Sequence, residues 1–311
     1  MRTAFIEKLF ELAVADPRIM LVVGDLGFGV VTPFMEKLPR QFVNVGVAEQ
    51  NMTGVAAGLA LSGKIVFTYS IANFPTLRCL EQIRNDICYH GADVKIVAVG
   101  GGMGYGSLGM SHHATEDIAI MQALPRMTVL APGDPKEAAR ATQAVVTHGG
   151  PCYLRLGRAG EPVVHESAEI EFTLGKAIVV RDGKDLTLVS TGGMLATAVE
   201  VAGRLKDRGL ETRVISMHTV KPLDKDAVLK AASETGAVFT LEEHSIVGGL
   251  GSSVAALLLE AGGARVAFKR IGLPDEFLSE CGDQDYLRSI CGLAPEQLVA
   301  TIEAEMAKIK C

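Results

Sequence analysis

Two periods of apolar residues alternate along the chain. Short apolar runs rich in Val and Ile are typical of strands buried on both faces of a parallel sheet, whereas apolar residues spaced three or four apart indicate helices that cover such a sheet. In the first half, strands are predicted at Ile19–Val23, Ile65–Ser70, Val94–Val99, Thr128–Pro132 and Cys152–Leu156, and helices at Arg2–Val14, Thr76–Tyr89, Thr115–Ala123 and Pro135–Thr147. This regular alternation indicates an α/β fold.

The same alternation returns after residue 171. Strands are predicted near Leu186–Ser190, Thr212–Ser216, Ala237–Glu242 and Val266–Ile271, with helices near Leu195–Arg208, Leu223–Thr235 and Gly251–Ala261 between them. Residues 161–171 are rich in charge and have no apolar period, which is typical of a linker. We therefore predict two doubly wound α/β domains, residues 1–160 and residues 172–311, joined by this linker.

The stretch Phe42–Ser62 is predicted to be a short strand followed by a helix that is apolar on almost every side. Such a helix is expected to be buried. Glu49 lies in its first turn and needs a partner, because an unpaired buried carboxylate costs several kcal/mol. Two partners are open at this point: the amide groups at the start of the helix, whose dipole favours an anion, or a nitrogen atom of a ligand.

Polar and aromatic residues follow the strands at the carboxyl edge, where ligands of parallel sheets bind. Asp25 follows Ile19–Val23 and is either a site residue or part of a local turn. Phe67, Tyr69 and Phe74 fall within eight positions in a chain that has only 5% aromatic residues. An aromatic ring at this edge can stack on a flat heterocycle. Packing in the core is the alternative for each ring.

A glycine-rich loop in the first domain ends in two histidines. Six glycines lie between Gly100 and Gly109, and His112 and His113 come shortly afterwards. Imidazole transfers protons near neutral pH, so the pair suits proton transfer at the sheet edge. As a metal site the pair is weak, since adjacent residues rarely bind one ion without a third ligand.

Charge narrows the choice of partners. The formal net charge is −6, with no run of like charges and no basic stripe, which argues against nucleic acid or an anionic membrane surface as the main partner. An anionic substrate would have to be held by local arginines. Arg155 and Arg158, at the end of the last strand of the first domain, suit bidentate recognition of phosphate or sulfonate. The alternative is a pair of solvated surface arginines.

Targeting and cysteine patterns add little chemistry. No secretory signal pattern is present and no apolar run reaches the ~18 residues of a membrane span, so a cytoplasmic protein is expected. The six cysteines contain no C-x-x-C pair, and neither a disulfide framework nor a zinc site is predicted. They are Cys79, Cys88, Cys152, Cys281, Cys291 and Cys311.

The sequence around Glu49, G-V-A-E-Q-N-M followed by a helix of small residues, resembles the pyrimidine-domain motif of the thiamine-diphosphate enzymes of the transketolase family. The resemblance spans essentially all 311 residues. It implies that Glu49 hydrogen-bonds the ring nitrogen of the cofactor's aminopyrimidine, and that Phe74 or Tyr69 stacks on that ring, with Phe74 favoured. Asp25 is counted with these cofactor-binding residues.

The glycine-rich loop resembles the family's motif in which a histidine faces the donor hydroxyl, and His112 matches that position with His113 beside it. Arg158 aligns with a phosphate-gripping arginine and Arg2 with a second, and Arg155 is grouped with them. Three positions depart from the family: Leu108 stands where relatives carry an acidic residue, and Gly100 and Gly29 stand where they carry a histidine and a serine. We therefore expect the donor substrate to be an anionic ketose, a phosphate or a sulfonate. We also expect that this site does not bind its anionic group through the usual residues of the family.

The family holds the cofactor's diphosphate through Mg²⁺ bound by a G-D-G motif, which is absent from this sequence. The resemblance therefore implies a split transketolase of α2β2 type, active only with an amino-terminal subunit that carries the diphosphate and Mg²⁺ ligands and transferring a two-carbon ketol unit to an aldose. The carboxyl-terminal domain would be mostly structural. Alternatives are the beta subunit of a 2-oxo acid dehydrogenase or a deoxyxylulose-phosphate synthase-like enzyme. A non-catalytic relative is disfavoured because Glu49 and His112 are both present.

Overall fold

The computed structural model describes residues 1–167, 169–262 and 266–309, so Cys311 and one linker residue lie outside the described residues. The strands are β1 (Ile19–Val23), β2 (Phe42–Asn44), β3 (Ile65–Ile71), β4 (Val94–Val99), β5 (Thr128–Leu130), β6 (Cys152–Leu156), β7 (Ile178–Arg181), β8 (Leu186–Ser190), β9 (Thr212–Ser216), β10 (Thr219–Lys221), β11 (Ala237–Ser245) and β12 (Ala267–Leu273). The α-helices are α1 (Arg2–Ala15), α2 (Thr32–Lys37), α3 (Glu49–Leu61), α4 (Leu80–Gln82), α5 (Asp117–Ala123), α6 (Pro135–Thr147), α7 (Leu195–Lys206), α8 (Lys225–Glu234), α9 (Leu250–Glu260), α10 (Gln284–Ile290) and α11 (Pro295–Ile309).

Seven strands form the first sheet in the order β10-β5-β6-β4-β3-β1-β2. Neighbouring strands are parallel except β10 and β5, which are antiparallel. Side chains alternate between the two faces of a strand, and β1 accordingly sends Met20 and Val22 into one core cluster and Leu21 and Val23 into another. The continuous apolar runs of the sequence arise because both faces of this sheet are covered.

Helices cover the two faces of the first sheet. On one face α1 and α6 pack through residues such as Phe5, Leu9 and Val145. On the other face α3 and α5 pack through Met52 and Ile118. This arrangement leaves the loops at the carboxyl ends of the parallel strands free to build a site.

Five strands form the second sheet in the order β12-β11-β8-β9-β7, all parallel except β7, which is antiparallel to β9. Residues of α7 and α11, such as Ala198 and Ile302, join the core on one face. Residues of α8 and α9, such as Val228 and Val254, join the core on the other face. Two α/β domains with mainly parallel sheets confirm the predicted fold class.

The two domains share more than the linker. Strand β10 belongs to the second half of the chain but pairs with β5 at the edge of the first sheet. In the linker, the N–H groups of Val164 and His165 donate to the carboxylate of Asp134, at the start of α6. The Nε2 atom of His165 lies 2.7 Å from the carboxylate of Glu137. These contacts hold this part of the linker against the first domain.

The segment after β3 differs from its prediction. One α-helix is predicted over Thr76–Tyr89, but the chain forms a 3₁₀ turn over Leu77–Cys79, the short α4 and a π-helical turn over Ile83–Cys88. Wider turns of this kind are often found at functional sites. Ile83 and Ile87 are nevertheless buried, as their spacing predicted.

Helix α3 is apolar nearly all round, but the expectation that it is buried on every side is wrong. Met52 and Ala56 are buried, whereas Gly54, Gly58 and Leu61 are exposed. Small residues make a helix face apolar without showing whether the same chain covers it. An apolar face left exposed by a single chain is typical of contact with another chain.

Candidate active site

The carboxyl ends of β1, β2, β3, β4 and β6 meet at one edge of the first sheet, because these strands are parallel neighbours. The segments that follow these strands carry Asp25, Glu49, Phe74, the glycine-rich loop and Arg158. Residues that are far apart in the sequence therefore lie along a single edge, as the strand pattern predicted.

Glu49 begins α3 and is only 3% exposed. Its Oε2 atom accepts a hydrogen bond of 2.9 Å from Nη1 of Arg78. Gly24 lies alongside, since a Cβ atom there would be 3.7 Å from Cγ of Glu49. Glu49 is therefore a buried carboxylate whose side-chain partner within the described residues is the half-exposed Arg78.

Arg78 also covers the ring of Phe74, with its Cζ atom 4.9 Å from the ring centroid. Phe74 in turn contacts the imidazole of His112 edge-on, with the centroids 5.2 Å apart. Glu49, Arg78, Phe74 and His112 thus form one continuous cluster. Sequence reasoning missed Arg78, although an arginine four residues after a candidate stacking ring was a usable signal.

The two histidines have different surroundings. His112 is partly exposed, and its Nδ1 atom lies 3.1 Å from Oγ of Ser111. The Ser111 carbonyl in turn accepts a 2.7 Å hydrogen bond from the side chain of Asn73, which fixes the end of the glycine-rich loop to the Phe74 loop. His113 is 6% exposed, and burial lowers its pKa. Within the described residues its Nε2 atom has no hydrogen-bond partner.

Asp25 lies in a tight turn after β1. Its φ angle of 56° is in the left-handed region, where Asp and Asn are the non-glycine residues most often found. Asn44 holds this turn, because its side chain accepts from the Asp25 N–H at 3.0 Å and donates to the Asp25 carboxylate at 2.9 Å. The geometry supports the turn-forming role, and a role for Asp25 in cofactor binding stays a prediction.

Tyr69 does not reach the site. It is 1% exposed and packs nearly parallel to Phe5 of α1, with the ring centroids 6.2 Å apart. It shares this core with Phe67, two residues earlier on the same face of β3. The expectation that Tyr69 could stack on a ligand is therefore corrected, since its ring lies in the core. Phe74 is left as the candidate stacking residue.

Arg155 is also placed differently from the prediction. It is 5% exposed, and its Nε atom donates to the carboxylate of Asp117 at 2.8 Å. Its Nη2 atom donates to the backbone carbonyls of Ala114 and Glu243. Although burial disfavours its charge, Asp117 holds the pKa of Arg155 above its ordinary value. Arg155 is thus a buried link between the domains and does not stand at the mouth of the site.

Of the other predicted arginines, Arg158 is exposed and lies over the ring of Tyr105, with Cζ 5.2 Å from the centroid. Arg2 is half-buried in α1, and its Nε atom has no hydrogen-bond partner in the part of the chain that the structure describes. The Nε donor of Arg2 is buried, whereas the side chain of Arg158 is exposed. Whether they bind an anion stays a prediction.

The second domain anchors the glycine-rich loop. The carboxylate of Glu243, at 3% exposure, accepts a 2.6 Å hydrogen bond from the N–H of Met103. The same carboxylate is held by Gln284 and Arg288 of α10. From the sequence, the carboxyl-terminal domain is expected to be mostly structural, and the structure shows that Glu243 of this domain fixes the loop that carries His112.

Metal clusters and membrane spans are both absent from the described residues. Over residues 1–167, 169–262 and 266–309, no group of three or more His, Cys, Asp or Glu side chains is arranged to hold a metal ion. None of the helices in the same part of the chain combines the length and the apolar character that a membrane crossing requires.

Comparisons with known proteins agree with this architecture. Residues 1–161 match the model of the transketolase pyrimidine binding domain, and residues 175–298 match that of the transketolase C-terminal domain. The chain is 41% identical over 276 residues to an apulose-4-phosphate transketolase subunit of Phocaeicola vulgatus, and the match covers 88% of each chain. It is 40% identical over 301 residues to the 6-deoxy-6-sulfo-D-fructose transketolase subunit SqwH of a Clostridium species, and this match covers 96% of this chain and 92% of that one.

Among solved structures, a split-gene transketolase described as an inactive beta4 tetramer superposes with a TM-score of 0.89 and 38% identity, over 98% of this chain and 97% of that chain. Fold and site thus define a pyrimidine-binding domain followed by a C-terminal domain of the transketolase type. The chain belongs to the transketolase family. Membership implies dependence on thiamine diphosphate.

The residues at the sheet edge fit the aminopyrimidine of that cofactor. Arg78 has a planar group that donates a hydrogen bond to Glu49 and lies over Phe74. A flat heterocycle that hydrogen-bonds Glu49 through a nitrogen and stacks on Phe74 would make the same two contacts, one with the carboxylate and one with the aromatic ring. Because Arg78 is 51% exposed, rotation of its side chain into solvent would open this place to the heterocycle.

Proposed function

We propose that this chain is the subunit of a split, thiamine-diphosphate-dependent transketolase that moves a two-carbon ketol unit from an anionic ketose to an aldose. The observation that carries the proposal is the buried carboxylate of Glu49 in one cluster with Phe74 and His112 at the carboxyl edge of the sheet. Two relatives of similar length support this donor class, because their names refer to a ketose phosphate and to a sulfonated ketose.

Each residue of the cluster has a distinct task. Thiamine diphosphate, when bound, supplies the carbanion chemistry that breaks the carbon–carbon bond. Glu49 would bind a ring nitrogen of its aminopyrimidine and stabilise positive charge there, and Phe74 would orient that ring. His112 would hold or transfer a proton at a hydroxyl of the donor sugar.

The test of the proposal is turnover by the complex of this chain with its diphosphate-binding subunit. We expect transfer from xylulose 5-phosphate or a sulfonated ketose to an aldose, with no consumption of pyruvate. Turnover of pyruvate with release of carbon dioxide would instead support the 2-oxo acid alternatives and would overturn the transketolase proposal.

We expect His112→Ala to lower kcat of this complex by at least ~10²-fold, because general acid and base catalysis typically contributes about 10²–10⁴-fold. The measurement is a single-turnover rate with saturating ketose. His90→Ala is a matched control, since His90 is exposed and follows the segment 77–88 away from the cluster, and it should leave the rate unchanged. An unchanged rate in His112→Ala would assign that ring to packing against Phe74.

The edge around the site carries the apolar surface expected of a subunit interface. Phe28, Val47, Leu77, Leu108 and Met110 are large apolar residues in loops at this edge, and each is at least 48% exposed. Exposed apolar groups concentrated in one region mark contacts with other chains. We propose that the amino-terminal subunit of an α2β2 complex covers this edge and supplies the Mg²⁺ and diphosphate ligands.

From this division of ligands we expect the lone chain to bind thiamine diphosphate weakly and without dependence on Mg²⁺. Calorimetric titration of the lone chain, with and without Mg²⁺, measures this directly. The same titration of the two-subunit complex is the control and should show tight, Mg²⁺-dependent binding. Tight, Mg²⁺-dependent binding by the lone chain would contradict the proposed division.

A further inference from the structure

Tyr105, in the middle of the glycine-rich loop, packs directly on Gly100 at the end of β4. A Cβ atom added at Gly100 would lie 2.2 Å from two carbons of the Tyr105 ring, and Gly100 has a φ angle of +81°. Both the contact and the backbone conformation require glycine. The ring of Tyr105 therefore fills the space that any side chain at position 100 would take.

The same ring carries Arg158. The guanidinium of Arg158 lies over the ring face at 5.2 Å. The backbone on the two sides of this contact is fixed, because the N–H groups of Gly100 and Gly101 both donate to the carbonyl of Leu156. A cation over an aromatic face gains about 0.5–1 kcal/mol at an exposed site. Tyr105 thus restricts a long, exposed side chain that would otherwise sample many rotamers.

Tyr105 and Arg158 stand at the same edge of the first sheet as His112, because the glycine-rich loop follows β4 and Arg158 follows the neighbouring strand β6. A phenol and a cation therefore lie beside the loop that carries His112.

We propose that Tyr105 is a specificity-determining residue for the anionic end of the ketose. Its ring holds Arg158 in place, and its hydroxyl donates a hydrogen bond to the anion. The inference rests on the proposed function. Tyr105 is the residue whose ring fills the space that a side chain at position 100 would take. A phosphate or sulfonate offers three terminal oxygens, enough for two bonds from the fork of Arg158 and one from a phenol. A phenol donates a hydrogen bond without carrying a charge, which suits singly charged sulfonates as well as phosphates.

The test compares Tyr105→Phe and Tyr105→Leu with Arg158→Ala in the two-subunit complex. Donors are xylulose 5-phosphate and the neutral ketose erythrulose, and kcat and KM are measured separately. Binding of xylitol 5-phosphate, which carries the anion but no carbonyl, is measured by calorimetry. Tyr89→Phe and Tyr89→Leu are matched controls, because Tyr89 is 76% exposed and lies at the end of the 77–88 segment.

We expect Tyr105→Phe to raise KM for xylulose 5-phosphate and Kd for xylitol 5-phosphate about 10-fold, as for a lost hydrogen bond to a charged group. Tyr105→Leu should raise both further, toward the values of Arg158→Ala, because it also releases the guanidinium. In each variant kcat for xylulose 5-phosphate should change little, the pattern for removal of uniform binding. The fall in kcat/KM should be much larger for xylulose 5-phosphate than for erythrulose, because erythrulose carries no anion.

Three outcomes would contradict either the inference about Tyr105 or the proposed function. If Arg158→Ala raises KM for the anionic donor but both Tyr105 variants do not, the inference falls and the proposed function stands. If the Tyr105 variants lower kcat/KM equally for the neutral and the anionic donor, Tyr105 only packs the loop and the inference is again wrong. If the parent complex transfers no ketol unit from any ketose, the proposed function itself has failed.

Discussion

Glu49→Gln is expected to lower kcat of the two-subunit complex by about 10²–10⁴-fold and to leave the fold intact. The amide keeps the shape of the side chain but removes the charge that would stabilise a protonated ring nitrogen. Loss of the contact with Arg78 should cost little stability, because Arg78 is 51% exposed and because the change also removes the cost of burying the charge of Glu49. The measurements are kcat at saturating thiamine diphosphate, and the thermal midpoint of the variant.

A matched control for this change is Glu11→Gln, at a glutamate of α1 that is 67% exposed. It should change neither kcat nor the thermal midpoint. Cofactor binding adds a readout independent of turnover, because Glu49→Gln should also weaken binding of thiamine diphosphate to the complex. A Glu49→Gln complex that kept kcat within a few-fold of the parent would refute cofactor activation by Glu49.

Arg155→Leu is expected to destabilise the chain by about 3–5 kcal/mol, the usual result of removing one partner of a buried ion pair. Asp117, at 2% exposure, would keep the hydroxyl of Tyr153 as its side-chain hydrogen-bond donor among the described residues. The carbonyls of Ala114 and Glu243 would lose the donor that joins the two domains. Urea unfolding at one fixed protein concentration measures the effect, since association with other chains shifts apparent stability.

Arg158→Leu is the matched control, because the same substitution three residues later removes an exposed arginine and should change stability by no more than about 0.5 kcal/mol. Combining Arg155→Leu with Asp117→Asn should cost less than the sum of the two single changes, as expected for residues in direct contact. If Arg155→Leu instead raised KM for an anionic ketose at unchanged stability, Arg155 would be a substrate contact and our correction would be wrong.

Much of the architecture could be predicted because the relevant signals are local. The strands β1, β4 and β6 have the predicted bounds, since both faces are covered and the apolar run ends where the strand ends. Helix α6 also matches its predicted range, with Pro at the start and the side chain of Asp134 as its cap. Placing Glu49 and Phe74 at one sheet edge required only the rule that parallel strands end on the same side.

Tyr69 and Phe74 illustrate a choice that local pattern left open. Tyr69 lies inside β3 and shares a face with Phe67, so it points into the core under α1. Phe74 comes after the strand has ended, and its ring reaches His112 of the glycine-rich loop. The alternation of side chains along a strand indicated that Tyr69 and Phe74 could differ in burial. The choice between them required the end of β3 to within one residue, and the ends of elements are where sequence signals are weakest.

By itself the sequence determined the two α/β domains, the buried carboxylate at the start of α3 and the edge where the site lies, because hydrophobic period and strand direction act over short stretches of chain. Only the tertiary structure decided which arginines are available, since Arg155 meets Asp117 and Glu243 from distant parts of the chain whereas Arg158 lies exposed over Tyr105. It also brought Arg78 to Glu49 and Glu243 to Met103. Such contacts depend on how packed elements meet in space, and no local period of the sequence records that.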